Sequence, residues 1–444
     1  MRRVVVIGYG LAGHHLTARL AAPRPQAVDG AAARVTEFSV TVLGAEGGSP
    51  YNRVLLPEVL AGRMPADRID LAEPDDPRVA VRSGVRATAI DRDARVVHGD
   101  DGSVVPYDDL VLATGANPVL PPLAGVRGPD GLARGVHSLR ALADLDRLET
   151  DLRSGRAAKA VVVGGGLLGL QCARALTLRG LEVVLVHQGP HLLDHRLDAE
   201  AAAILGRTAR SLGVELHFEC RARALTHGHD GRLAGVRLAD GYDLPADLVL
   251  LACGSAPATG LAARAGLEVR RGIVVDAALR SVTDPRVRAL GDCARPQGAP
   301  PAPRGLAVPV LDQAEWLAAD LLSENPPTGG PLAGDLPAGD VPAGGGRYQS
   351  PPAVARLTAT GIDIAILGAP PRPGMDRDAR TVRLTDPLGG THRSVTLRDG
   401  RLIGSVLIGD VSAAGRLAGL LDHAGPHPLP ENPLDLLLDP SERT

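Results

Sequence analysis

A β-branched run, a G-x-G-x-x-G turn and a helical stretch follow one another twice in this chain, about 156 residues apart. The first copy begins VVVIGYGLAG at Val4 and the second VVVGGGLLGL at Val161. A strand that turns on glycines straight into a helix is the opening of a nucleotide-binding βαβ unit, so the repeat confines the chain to a duplicated α/β architecture with parallel sheets. In the first copy the pattern predicts a strand over Val4–Ile7, a helix over Leu11–Leu20, a strand over Ser39–Leu43 and a late strand over Val104–Ala113. In the second the matching segments are Ala160–Val163, Leu167–Arg179, Glu182–Val186 and Leu244–Ala252. Between the first helix and its next strand, Pro23–Arg34 reads as an inserted surface loop.

The glycines have separate tasks. Gly8 and Gly164 allow the tight turn, Gly10 and Gly166 let the backbone approach a pyrophosphate, and Gly13 and Gly169 let helix pack on strand. An acidic residue is expected after the second strand to take ribose hydroxyls; Glu46 is the candidate in the first unit, displaced by the insertion. In the second unit that place is held by His187, which can still donate to a ribose oxygen but leaves NADH and NADPH both open. Two dinucleotide sites in one chain suggest a hydride passed between them, hence NAD(P)H and FAD. A third motif, Ala289-Leu290-Gly291-Asp292-Cys293-Ala294, places a Gly-Asp pair at a strand end ahead of a helix, where the carboxylate can accept a ribityl hydroxyl.

Composition removes other classes. Lys plus Arg number 48 against 51 Asp plus Glu, a net charge of −3, which gives no electrostatic reason to expect nucleic acid or an anionic membrane. Aromatic residues are 2% of the 444, too few for a base-stacking platform. No apolar run approaches the roughly 18 residues of a membrane span. Arg2-Arg3 superficially resembles a twin-arginine signal, but the glycine-broken β-branched run behind it suits a strand and phosphate loop, and a cytoplasmic protein is expected. The four cysteines, Cys172, Cys220, Cys253 and Cys293, lie 33 to 48 residues apart. That spacing offers no metal ligand set, iron–sulfur site or CxxC pair, so they are expected to be small buried residues. From Ser323 to Gly346 a Pro/Gly-rich imperfect repeat reads as linker or lid. Beyond it, Val395–Asp410 predicts a hairpin turning at Asp399-Gly400.

Taken in order, the motifs GYGLAGH (Gly8–His14), SPYNRVLLPEVLAG (Ser49–Gly62), LVLATGANP (Leu110–Pro118), VVVGGGLLGLQCA (Val161–Ala173), RLD (Arg196–Asp198), GDCA (Gly291–Ala294) and GLAVPVLDQ (Gly305–Gln313) resemble the two-dinucleotide FAD/NAD(P)H pyridine nucleotide-disulfide oxidoreductase superfamily. Within it they are similar to the flavin-binding N-terminal part of the assimilatory nitrite reductase large subunit. Leu357–Gly368 and Leu397–Asp410 resemble the start and end of that family's small C-terminal interface domain. The resemblance implies two Rossmann-like dinucleotide-binding domains and a small α+β C-terminal domain. Its expected layout is an FAD-binding domain of residues 1–118 and 245–322 and an NAD(P)H-binding domain of 119–244. A linker of 323–349, a C-terminal domain of 350–425 and a tail of 426–444 complete it.

Position by position, the resemblance implies FAD on Gly8, Gly10, Gly13, Glu46, Arg53, Val85, Thr114, Gly115, Asp292 and Gln313. It implies NAD(P)H on Gly164, Gly166, Gly169 and Gly254, to which His187 is added from its place after the second strand. No side-chain nucleophile or metal is required, because the flavin N5 carries the chemistry. Electrons are then expected to leave singly to a partner: ferredoxin, rubredoxin, or a nitrate or nitrite reductase component with an iron–sulfur, sirohaem or molybdenum centre. Cysteines for iron–sulfur and sirohaem modules are absent from the 444 residues, so nitrite reduction is expected to need that partner. The chain departs from its relatives at Gln171, where they carry Glu, at Glu58, where related ferredoxin reductases carry the Lys paired with it, and at His187 and Ala45, where the usual acidic ribose signals are weak. A reactive cysteine ahead of the second glycine loop is missing, which excludes the disulfide-reductase branch. A non-catalytic flavin- or nucleotide-binding paralogue, acting as subunit or sensor, is the alternative; a flavin monooxygenase is a third. Monomer and homodimer both remain open.

Overall fold

The computed structural model describes residues 1–22, 38–129, 131–298, 306–323, 348, 352–368, 378–422, 429–430 and 432–438. The Pro23–Arg34 insertion and almost all of the 323–349 linker lie outside them. The described residues fall into two compact units. One takes Met1–Arg53, Ile69–Asn117 and Ser255–Pro351; the other takes Val54–Arg68, Pro118–Gly254 and Pro352–Thr444.

The first unit is built on a five-stranded sheet, all of whose strands run parallel. Its order is Val287–Ala289, Asp109–Leu112, Arg2–Ile7, Phe38–Gly44 and Val79–Ser83. Val4, Val5, Val6 and Ile7 are all buried, as a central strand covered on both faces requires. Helices Leu11–Ala21 and Ala307–Leu322 pack together and bury Leu16, Leu20, Leu317 and Leu321. A three-stranded antiparallel meander, Ala87–Asp91, Val96–Gly99 and Val104–Pro106, precedes the returning strand Asp109–Leu112.

At one end of the strands lies a buried ionic cluster. Asp109 accepts from both Arg2 and Arg288, and Arg288 and Arg280 stand 3.4 and 3.3 Å from Asp320. Burial alone would raise the Asp109 pKa, but its two guanidinium partners hold it below the ordinary carboxylate range. Such pairs fix register more reliably than they add stability. Here they tie Asp109–Leu112 to its neighbours on either side.

The second unit repeats this plan. Its parallel sheet runs Val136–Ser138, Leu248–Leu251, Lys159–Val163, Glu182–Val186 and Val214–His217. A meander of Ala222–His227, Leu233–Leu238 and Asp243–Pro245 again precedes the returning strand. In both sheets the strand leading into the glycine loop is the central one.

Three expectations need correction. Each late strand divides in two: Val104–Pro106 and Asp243–Pro245 end meanders, whereas Asp109–Leu112 and Leu248–Leu251 enter parallel sheets. Pro106 and Pro245 have no N–H to carry a ladder onward, and the chain changes sheet just after them. Residues 245–254, expected with the first unit, lie in the second, because Leu248–Leu251 pairs with Lys159–Val163. Residues 54–68 also belong there: helix Leu56–Leu60 packs on helix Leu167–Leu178, and Arg179 donates to the Leu60 carbonyl at 3.0 Å.

The C-terminal residues form an antiparallel sheet in the order Val354–Ala359, Ile362–Gly368, Arg401–Ile408, Thr391–Arg398 and Arg380–Asp386. Helix Ala414–Asp422 packs against it. The hairpin turns where expected, with Arg398 opposite Arg401 and positive φ at both Asp399 and Gly400. This sheet groups with the second unit through Arg174, which donates to the Thr360 carbonyl at 2.8 Å, and through the 3.0 Å pair of Arg383 with Asp198. The expected tail is partly folded: Leu436 and Leu437 are buried in the C-terminal core.

Candidate functional site

Each unit carries one glycine loop, and in both the three glycines differ in what surrounds them. A Cβ on Gly8 would stand 2.3 Å from the Ala113 carbonyl oxygen, and one on Gly13 would stand 2.0 Å from that of Gly8. In the second loop the corresponding gaps are 2.3 Å at Gly164, against Ala252, and 1.9 Å at Gly169, against Gly164. These four are packing glycines. The middle positions are more open: beyond the adjacent backbone no atom lies within 4 Å of a Cβ on Gly166, and on Gly10 the nearest atom is in the Arg53 guanidinium, 3.1 Å away.

Gly10 and Gly166 are also the N-caps of helices Leu11–Ala21 and Leu167–Leu178. Neither helix has a side-chain cap or an acidic residue in its first turn. By contrast, helix Ala199–Ser211 is capped by the Asp198 carboxylate, which accepts from the Ala201 N–H. An open glycine over uncapped N–H groups at a positive helix end is the environment that a pyrophosphate needs. Both loops therefore fit a dinucleotide.

Around the first loop the structure gathers most of the residues singled out in that unit. Arg53 lies beside Gly10, 3.2 Å from Glu46 Oε1 and 5.5 Å from the centre of the Tyr51 ring. Tyr51 donates to the other Glu46 oxygen at 2.5 Å. Tyr51 was missed in the sequence, although it sits two residues before Arg53 in the same motif. Ala113 covers Gly8; the next residue, Thr114, donates to the Ala258 carbonyl at 2.7 Å, and Gly115 has φ +66°.

The Gly-Asp pair opens a 3₁₀ turn, Gly291–Cys293, and then a strand, Ala294–Pro296, rather than the helix expected. A Cβ on Gly291 would lie 3.3 Å from that of Ala12, which sets the turn against the first helix. The Gly291 N–H donates to Gln313 Oε1 at 2.7 Å, joining Asp292's turn to helix Ala307–Leu322. Val85 packs against the core, and the N–H of the preceding Gly84 donates to the Glu46 carbonyl at 3.0 Å.

In the second unit Gly254 has φ +99°, and its carbonyl accepts from the Val119 N–H at 2.9 Å. The His187 ring lies against the loop. A Cβ on Gly165 would be 2.7 Å from its Cγ, and its Nδ1 accepts from the Gly165 N–H at 3.2 Å. Its Nε2 stands 3.3 Å from Asp194 Oδ1. Asp194 is a second residue that sequence reasoning passed over. Glu58, on helix Leu56–Leu60, pairs with Arg63 at 3.4 Å, and Gln171 stands on the helix packed beside it.

All four cysteines are free. Burial raises the thiols of Cys172 and Cys293 and pushes Cys253 up to about 11. These three are protonated at neutral pH and poor nucleophiles. Among the described residues there is no metal-ligating cluster and no helix long and apolar enough to cross a membrane.

Comparison with known proteins agrees with this arrangement. A family described as pyridine nucleotide-disulphide oxidoreductase matches residues 2–305. Nitrite reductase [NAD(P)H] of Bacillus subtilis (strain 168) is 28% identical over 424 residues, 95% of this chain and 47% of that protein. Rubredoxin-NAD(+) reductase of Alcanivorax borkumensis is 32% identical over 329 residues, 73% of this chain and 80% of that one. Among solved structures, the covalent putidaredoxin reductase–putidaredoxin complex has a TM-score of 0.78 at 24% identity, covering 95% of this chain and 93% of that chain. The chain spans less than half the length of the nitrite reductases it matches. With two Rossmann-type units, two open glycine loops and a family match over most of its length, the chain belongs to the pyridine nucleotide-disulphide oxidoreductase family.

Proposed function

We propose that this chain is an FAD-dependent NAD(P)H:acceptor reductase, with FAD held in the first unit and the nicotinamide dinucleotide in the second. The observation that carries the reading is the pair of loops, each with two glycines locked by packing and the middle one open over an uncapped helix end. Gly10 and Arg53 would hold FAD, which would supply hydride acceptance from NAD(P)H and one-electron release to an acceptor. The chain's own part is to bind and orient. Arg53, held by Glu46, supplies positive charge beside Gly10 for a pyrophosphate. Gln313 fixes the Gly291 turn so that Asp292 can accept a ribityl hydroxyl.

The acceptor is a redox protein with an iron–sulfur, sirohaem or molybdenum centre; the nitrite reductase and rubredoxin reductase relatives support this class. Nitrate or nitrite assimilation in the cytoplasm is the setting that suits those relatives, and the protein works as a monomer or homodimer. Anaerobic mixing of the yellow protein with NADH, and separately with NADPH, tests the proposal. At least one should bleach the flavin absorbance within seconds. Flavin that stays oxidised with both, yet bleaches with dithionite, would make the chain a binding paralogue instead.

Asp292 offers a finer test of the flavin site. A hydrogen bond to a charged group contributes about 1.5–3 kcal/mol, so Asp292→Ala should weaken FAD binding roughly 10- to 150-fold. An unchanged affinity, measured by flavin release, would remove Asp292 from the site.

A further inference from the structure

We infer that Asp194, rather than a residue at the end of the second strand, is the carboxylate that receives the adenosine ribose diol in the second unit, and that it selects NADH over NADPH. The inference rests on the reading that the second glycine loop holds a nicotinamide dinucleotide.

Three observations place Asp194 there. The Leu193 N–H donates to the Gly165 carbonyl at 2.9 Å, so the residue before Asp194 is tethered to the phosphate loop itself. Leu193 also has φ +53°, a left-handed conformation costly for a bulky side chain and typical of backbone held for a purpose. Its effect is to turn Asp194 back over Gly189, where a Cβ would be 2.2 Å from Oδ2.

The carboxylate also keeps acceptor sites open to a ligand. Its side chain is only 17% exposed, and among the described residues its polar contacts are His187 at 3.3 Å and His195 at 3.9 Å. His187 Nε2 is itself buried without a well-aligned hydrogen bond. A carboxylate beside the glycine loop with acceptor sites open can take donors from a ligand, and the vicinal hydroxyls of an unphosphorylated ribose supply two. A 2′-phosphate would remove one donor and set negative charge against the carboxylate. His187 is the positioning residue: anchored to Gly165 through Nδ1, it stands with Nε2 3.3 Å from Asp194 Oδ1.

Calorimetric titration of the oxidised, FAD-loaded protein with ADP-ribose and with its 2′-phosphate tests this without turnover. The parent protein should bind ADP-ribose at least about 10-fold tighter than the phosphorylated probe. Asp194→Asn is isosteric and breaks no aligned hydrogen bond, so it should fold; it should weaken ADP-ribose binding roughly 10-fold and close the gap. His187→Asn should weaken ADP-ribose binding alone but add nothing to Asp194→Asn, because it acts through that carboxylate. Additive losses would overturn the positioning role. A parent that prefers the 2′-phosphate, or an Asp194→Asn variant that keeps the parent ratio, would overturn the assignment to Asp194. Binding of neither probe by the parent would instead sink the reading of the second loop.

Discussion

Gly166→Val is expected to fold, to keep its flavin and to lose reduction by NAD(P)H. The backbone at Gly166 is extended, with φ −78° and ψ −179°, so valine can adopt it without strain. No atom beyond the adjacent backbone lies within 4 Å of the new Cβ, so the side chain enters open space. What the side chain fills is the space over the uncapped helix end, where the dinucleotide's pyrophosphate would be received. Displacing a substrate by about an ångström typically costs on the order of 100-fold, and anaerobic stopped-flow with NADH and NADPH should show a loss at least that large. Dithionite, which needs no binding site, should still bleach the flavin. A parent-like rate with NAD(P)H would place the nicotinamide elsewhere, and loss of both routes together would show that Gly166 serves only the fold.

The matching change in the first unit, Gly10→Val, should yield a folded but colourless protein. The atoms nearest its Cβ are the far end of the Arg53 side chain, 3.1 Å away, which can swing aside, so the sheet and helix have no reason to fail. The valine would occupy the approach to the phosphate-binding end of helix Leu11–Ala21. Absorbance after purification in the presence of FAD reads the outcome, and full occupancy would place the flavin elsewhere. Gly13 cannot be used in this way. A Cβ there would stand 2.0 Å from the Gly8 carbonyl oxygen, so any side chain attacks folding and binding together.

The sequence carried the duplicated plan because a parallel strand buried on both faces must read as an unbroken apolar run, and a helix beginning at a phosphate loop must begin with glycine. Val4–Ile7, Glu182–Val186 and the Asp399-Gly400 turn accordingly lie where the pattern puts them. It was less informative wherever apolar runs continue while their partners change. Nothing in the hydropathy of Val104–Ala113 or Leu244–Ala252 tells that each crosses from a meander into a parallel sheet; the prolines inside them are the only local sign. Within the first site, Glu46 and Arg53 were legible from the order of motifs. Tyr51 was not, because a phenol in a loop gains meaning only once Glu46 is seen to accept from it. Asp194 escaped for a similar reason. It lies well past the expected acidic position and comes back to the loop through a left-handed turn at Leu193, a conformation that leucine does not advertise.

The order in which the two sheets collect their strands decides which can close first as the chain is synthesised. The second draws all five from a single stretch between Val136 and Leu251. The first has four strands in place by Leu112 but waits for Val287–Ala289 to cover Asp109–Leu112. At ribosomal speeds of about 5–20 residues per second, that edge stays bare on the order of ten seconds, with Asp109 still lacking Arg288. An unpaired edge of this kind is a template for wrong pairing. Gly291, Asp292 and Gln313 emerge later still, so a ligand of the first loop can be fully gripped only after the strands of the second sheet have all been made.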